Sequence, residues 1–309
     1  MKKKKLGNAF EKDMEKCFWI VMSVFVAFFI LLKAYPIIWG VIMSFTNFTG
    51  FNLDSLKFTG LANYKHVFTD RMALPAILVP LKIGVVTIPA GMVVGLFLSI
   101  LLSNEYRGCG IFRTLIYLPS LIPGIAMAIM WRGMFSYNGG LFNTLLTAFG
   151  GKSVNWFSDP YIRRGVMLMC IYSSCGGILS NIAIIKGIPE EMYEAAKMEG
   201  ANAFQNAWYI TLPMMSNMLY MGLLTSLIYT LQMFEQPVFL AGGTGGTNAL
   251  TTVPPDSAYT YVVHIYQQIF VNMRFGYGLA LIWVIFIVIM ALSLFMEWSK
   301  RFWVYKETD

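Results

Sequence analysis

Apolar residues gather into six long runs, near 17–45, 76–102, 112–135, 164–185, 213–240 and 275–298, and polar residues fill the gaps. Each run holds about 20 or more mostly apolar residues, enough to cross a hydrocarbon core of about 30 Å as a helix. The third contains "YLPSLIPG" (117–124), where Pro119, Pro123 and Gly124 disturb the backbone ladder. Such breaks survive in a bilayer where neighbouring helices or a water-filled cavity satisfy the freed carbonyls. A packing kink and a kink lining a pathway both fit.

The gap at 189–212 has another rhythm. Pro189 suits a first helical position, and Glu190 and Glu191 favour the positive end of a helix running through "EEMYEAAKM". Gly200 is placed to end that helix, and Asn202 with Gln205 forms a capping-box pair for a second. The pattern predicts a helix–turn–helix leaving the membrane, with Pro213 opening the fifth span. Small Ala195 and Ala196, beside Met192 and Tyr193, would let its tip enter a cleft. Between the first two runs, Leu61, Tyr64 and Phe68 have i, i+3, i+7 spacing, predicting a short surface helix with that face against lipid or protein. The segment after the fifth run, 241–274, is glycine-rich and then aromatic, and suits either a flexible loop or a partner surface.

Composition agrees with the spans: 57% of the 309 residues are hydrophobic and 13% charged. That is about half the charged fraction of a soluble domain, leaving no room for one beside the spans. The run at 17–45 is longer than a signal-peptide core and reads as an uncleaved span. The layout is a cytoplasmic tail 1–16, a membrane domain 17–298 with a cytoplasmic polar loop 187–213 and the outer loop 241–274, and a cytoplasmic tail 299–309. Of the 23 Lys and Arg, thirteen fall on the side of the termini, seven on the other, and Lys33, Lys82 and Arg132 within spans. This bias puts both termini in the cytoplasm. The net charge of +7 then reflects topology and anionic lipid, with no nucleic acid required.

Several chemistries are disfavoured. Cys17, Cys109, Cys170 and Cys175 form no C-x-x-C or His/Cys cluster, so no metal site or disulfide framework is indicated. "FGGKS" (149–153) has Leu146 where a phosphate-binding loop needs glycine, so the chain should bind no nucleotide. His66 and His264 lie in outer segments without ligand-spaced partners, which disfavours an intramembrane enzyme. Charges at membrane depth cost about 2.5–3.5 kcal/mol each on insertion scales, and so mark candidate function. Lys82 and Arg132 are expected to snorkel outward. Lys33 either lines a pathway or pairs with Glu235. Tyr229, Gln232 and Glu235 in the fifth span, with Tyr172 and Asn181 in the fourth, are candidate pathway residues that combine aromatic faces with polar groups.

"EAAKMEG" followed by "ITLP" resembles the EAA loop of permease subunits of bacterial ATP-binding cassette importers. Co-linear stretches such as "AYPIIWGVIMSFTNF", "FRTLIYLPSLIPG" and "NMRFGYGLALIW" narrow the resemblance to the maltose-type carbohydrate-uptake group. It implies an all-α, polytopic type I importer permease fold with six transmembrane helices. It also implies a second EAA-bearing permease, two cytoplasmic ATPase subunits that bind ATP and Mg, and an extracellular or periplasmic solute-binding protein delivering a carbohydrate. Tyr193, Glu194, Ala195, Ala196 and Gly200 would form the ATPase-coupling motif, and this chain would carry no catalytic residue or cofactor. One departure stands out: the family usually has an Asn-Thr pair near the start of the second span, where Lys82 occurs here, which hints at an anionic sugar. A stand-alone secondary transporter is the alternative, but 1–150 and 160–309 show no internal repeat.

Overall fold

The structure is a computed structural model that describes residues 2–51, 56–104, 106–242 and 250–305, excepting the side chains of 2–13, 175 and 176. The glycine run 243–249 and the last residues, 306–309, lie outside the described residues. Among those described, the fold is all-α, with one isolated antiparallel bridge between Thr46 and Phe58. The helices are α1 (Lys2–Phe29), α2 (Tyr35–Ser44), α3 (Ala62–Thr69), α4 (Ala73–Ser103), α5 (Cys109–Tyr117), α6 (Gly124–Met134), α7 (Leu141–Ala148) and α8 (Tyr161–Ser173). They continue with α9 (Ile178–Gly187), α10 (Glu190–Met198), α11 (Ala203–Asn206), α12 (Leu212–Met214), α13 (Ser216–Leu231), α14 (Glu235–Ala241), α15 (Tyr261–Tyr266) and α16 (Phe275–Trp303).

Three continuous stretches, Met14–Ser44, Ala73–Ser103 and Phe275–Trp303, are long and apolar enough to cross a membrane, and three bent helix pairs raise the number to six if each is one span. The third apolar run bends by 101° between residues 121 and 124, where Pro119 and Pro123 interrupt the ladder. The fifth run is not the continuous 213–240 helix the pattern predicts. Its α13 ends at Leu231, residues 232–234 are non-helical, and α14 restarts at Glu235. Pro237 stands in the first turn of α14, where its missing N–H removes no helical bond. A bend of 70° at Met215 also separates Ala203–Met214 from α13.

The chain divides into two compact units, Met1–Val67 with Gln268–Val284, and Phe68–Gln267 with Ile285–Asp309. In the first unit, Asn63 donates through Nδ2 to the Ser44 and Thr46 carbonyls at 2.8 Å each, and the Tyr64 hydroxyl lies 2.7 Å from Ser44 Oγ. At α3 Val67 is buried, while Leu61 and Phe68 are exposed, as residues that face lipid or a partner would be. The turn after α2 meets the start of α16, where the Gly276 N–H donates to the Phe48 carbonyl at 2.8 Å. A methyl group on Gly276 would collide with the Thr46 carbonyl oxygen. Gly276→Ala should therefore lower stability by about 1–3 kcal/mol, the usual cost of overpacking against rigid atoms. A thermal melt of the detergent-solubilised protein checks this, with Gly40→Ala as a control at a position open to 3.7 Å.

In the second unit α4 is the central helix, packed by α8, α9 and α13. Its buried side includes Gly84, Thr87, Gly91, Gly95 and Ser99, small residues that let helix backbones approach closely without a hydrophobic driving force. A β-carbon on Gly91 would stand 2.6 Å from Ser174 Oγ. Nearby, Trp131, Phe135, Phe142 and Trp156 form an aromatic cluster with ring centroids 4.7–5.8 Å apart. Arg132, expected to snorkel, also finds partners within the protein. Its guanidinium donates to the Leu240 carbonyl at 2.6 Å and lies 4.7 Å from the Phe157 ring centre, closing the C-terminal end of α14.

Candidate functional site

Local backbone chemistry builds the hairpin at 189–214. Pro189 takes the N-cap of α10, one residue earlier than the pattern suggested, with Glu190 and Glu191 in the first turn. The helix closes on Gly200, whose φ of +84° lies in the left-handed region that favours glycine. The Gly200 N–H donates to the Lys197 carbonyl at 3.1 Å and the Ala201 N–H to the Ala196 carbonyl at 2.9 Å. Those two bonds define a Schellman turn. Asn202 then caps α11, accepting from the Gln205 N–H at 2.8 Å while its own N–H donates to Gln205 Oε1 at 2.8 Å. The Tyr193 hydroxyl lies 3.0 Å from Thr211 Oγ1, joining α10 to the returning arm.

The hairpin thus presents a fixed surface. Glu194 and Ala195 are exposed, and Ala196 is half-buried. Between the two arms lies a groove of about 320 Å³ lined by Ala196, Glu199, Gly200, Gln205, Asn206 and Tyr209. Asn206 Oδ1 is buried there with no hydrogen-bond partner. Four of the five charged residues on 189–200 are glutamates, Glu190, Glu191, Glu194 and Glu199, against Lys197. The surface suits a basic or hydrogen-bond-donating partner.

The pathway candidates are scattered by comparison. The helix breaks of the second unit adjoin one another: α14 packs on α6, and the turn Leu118–Leu121 meets the turn Ser174–Gly177. Glu235 begins α14, and its carboxylate lies against Gly124 at the N-terminus of α6. The partial positive charge of that helix end faces the carboxylate. Tyr229 is 73% exposed on α13, and Gln232 is exposed at its end. Tyr172 is partly exposed with its ring edge-on to Trp131 at 5.6 Å, and Asn181 is half-buried on α9. Lys33 is exposed on a π-helical turn, Ile30–Ala34, and Lys82 is exposed on α4.

Sequence spacing missed one polar centre. His264, 2% exposed, lies with Nδ1 3.0 Å from the Tyr259 hydroxyl and Nε2 3.1 Å from Asp70 Oδ2. These residues are 194 positions apart, so no local pattern could reveal the pair. The Thr260 hydroxyl donates to the Met233 carbonyl at 2.7 Å, and Ser257 donates to Asp159 through its hydroxyl. The described part of the outer segment is therefore packed, rather than a plain flexible loop. Burial first, and Asp70 second, push the Tyr259 phenol up to about 12 and move Tyr261 the same way. Tyr259 therefore stays protonated near neutrality, and Nε2, which faces the acceptor-only carboxylate of Asp70, is the ring nitrogen placed to donate to it. His264→Ala should cost about 1–3 kcal/mol by stranding buried polar groups. Melting His264→Ala, Asp70→Asn and the double variant checks this, and the double should be less destabilised than the sum of the singles.

The family of binding-protein-dependent transport system inner membrane components matches residues 88–304, more than half of the chain. A probable ABC transporter permease, YesP of Bacillus subtilis (strain 168), is 29% identical over 93% of this chain and 91% of its own length. The arabinooligosaccharides transport system permease AraP of Halalkalibacterium halodurans is 30% identical over 87% and 84%. A solved bacterial ABC transporter for import of the acidic polysaccharide alginate contains a chain that superposes with a TM-score of 0.79 at 20% identity, covering 94% of this chain and 98% of that one. That likeness establishes the all-α importer permease fold. The hairpin between α9 and α13 and the family match thus lead to one conclusion: this chain is an inner membrane component of a binding-protein-dependent transport system.

Proposed function

We propose that the chain is one of two unlike permease subunits of an ATP-driven carbohydrate importer, with both termini in the cytoplasm. It would form the translocation pathway with the second permease and dock the hairpin into an ATPase subunit. ATP and Mg would bind the two ATPases, and this chain would do no chemistry. A solute-binding protein would load carbohydrate from the outer face. The observation that carries this reading is the hairpin itself. A bare reconnection of two spans needs only a few residues, yet 187–213 starts one helix at Pro189, caps the next with an Asn202–Gln205 box, closes the turn between them with Schellman bonds and is braced by Tyr193 and Thr211.

Relatives support the cargo class: AraP is named for arabinooligosaccharides, and LacF of Rhizobium radiobacter, 29% identical over 92% of this chain, for lactose. An acidic carbohydrate is the second reading, favoured by the exposed ammonium of Lys82 on α4. Purifying the chain with a co-expressed second permease and ATPase, and identifying the ligand of the associated binding protein by mass spectrometry, tests both. A neutral oligosaccharide removes the second reading. Failure to recruit an ATPase, with transport driven by an ion gradient, would sink the first.

A further inference from the structure

We propose that the C-terminal end of α16 is a strut of the coupling machinery, locked to the foot of α13 by Tyr220, Glu297 and Lys300. The proposal rests on the coupling role given to the hairpin above. The arm Ala203–Met214 turns by 70° at Met215 into α13, so α13 begins where the hairpin ends. Tyr220 lies one turn into α13 and is 1% exposed. Its hydroxyl donates to Glu297 Oε2 on α16. Lys300 Nζ stands 4.9 Å from the Tyr220 ring centre and 3.8 Å from Glu297 Oε1, so one ammonium serves both partners of that bond. The Trp303 ring packs on Tyr220 with centroids 6.1 Å apart. Beyond the helix, the Tyr305 N–H donates to Ser216 Oγ at 2.8 Å.

Residues 297–305 therefore grip the first turns of α13 at Ser216 and Tyr220. Apolar packing alone would hold two membrane helices while leaving them free to slide and rotate. A buried phenol, a carboxylate, an ammonium and a backbone donor are directional, and fix rotation and register together. A tilt of the hairpin's foot must then carry the end of α16 with it. The strut makes α16 a second output of the hairpin, alongside α13.

The test uses the assembled transporter in proteoliposomes with its binding protein, carrying Tyr220→Phe, Glu297→Ala, the double variant or Glu297→Gln. Tyr220→Phe and Glu297→Ala should each reduce uptake about tenfold or more, the effect expected when one charge-assisted hydrogen bond is lost, while ligand-stimulated ATP hydrolysis persists. The double variant should be no worse than either single change, because both remove one interaction. Glu297→Gln still accepts the Tyr220 hydrogen bond and should recover most of the uptake. Normal uptake in both single variants would overturn the proposal. So would a parallel fall of uptake, hydrolysis and assembly, which marks a merely structural bond. Gly200→Val serves as reference: if it too leaves uptake and hydrolysis normal, the hairpin reading fails, and if it abolishes uptake while the clamp variants do not, only the strut fails.

Discussion

Gly200→Val is expected to reduce uptake by tenfold or more and to uncouple ATP hydrolysis, while the subunits still assemble. Gly200 holds φ at +84° at the apex of the hairpin. A side chain forced into the left-handed region costs about 1–2 kcal/mol, and β-branched valine belongs at the upper end. Escape from that conformation sacrifices the two Schellman bonds, at about 1 kcal/mol each. Either route exceeds thermal energy severalfold yet falls below the 5–15 kcal/mol that typically holds a domain together. The hairpin should therefore re-fold locally, swinging α11 away from the line set by Tyr193 and Thr211. Gly200→Asn, which tolerates the left-handed region, should keep most activity. Uptake and ATPase assays on reconstituted complexes decide it, and a valine variant with normal values for both would leave the hairpin without a coupling role.

The second large effect is expected at Gly124 and Glu235. No β-carbon fits at Gly124 without displacing the Glu235 carboxylate. A charge at membrane depth costs about 2.5–3.5 kcal/mol on insertion scales, and a helix N-terminus returns at most about 2 kcal/mol of that. The difference, about 0.5–1.5 kcal/mol, favours the proposal that Glu235 serves the pathway. Gly124→Ala should push the carboxylate off the α6 terminus and lower uptake by about tenfold, as geometric misplacement of a binding group commonly does. Glu235→Ala should do the same by removing the group. Both variants should purify with a full complement of partner subunits. Loss of assembly in Glu235→Ala would instead assign the carboxylate to holding α14 against α6.

Proline shows why the pattern of the chain could locate spans but not their shapes. Pro119 and Pro123 lie at a 101° bend, and Pro237 follows the break in the fifth span. Yet Pro80 and Pro89 sit inside α4, which runs unbroken for 31 residues. The residue type is the same, and the outcome depends on whether neighbouring helices clamp the flanking turns. Helix α4 is packed by α8, α9 and α13 along its small-residue side, which holds it helical through both prolines. Pro237 was the available signal for the second break, but a proline in a span reads equally as a tolerated kink.

The hairpin was legible almost residue by residue, because capping, turn closure and the glycine conformation depend on atoms a few positions apart. The six apolar runs were legible for a similar reason, since bilayer thickness sets the length of any helix that crosses it. The links that cross the chain were not: His264 to Asp70, Tyr220 to Glu297 and Arg132 to Leu240 span 194, 77 and 108 positions. Each joins groups too far apart in the chain for spacing to pair them, and only the packing of distant helices brings them together. Sequence by itself determined the membrane class, the family resemblance and the hairpin, all consequences of local periodicity and backbone chemistry. Tertiary structure alone decided which prolines break helices, which charges find protein partners and how the last helix is tied to the foot of α13, because those outcomes depend on neighbours that folding brings together.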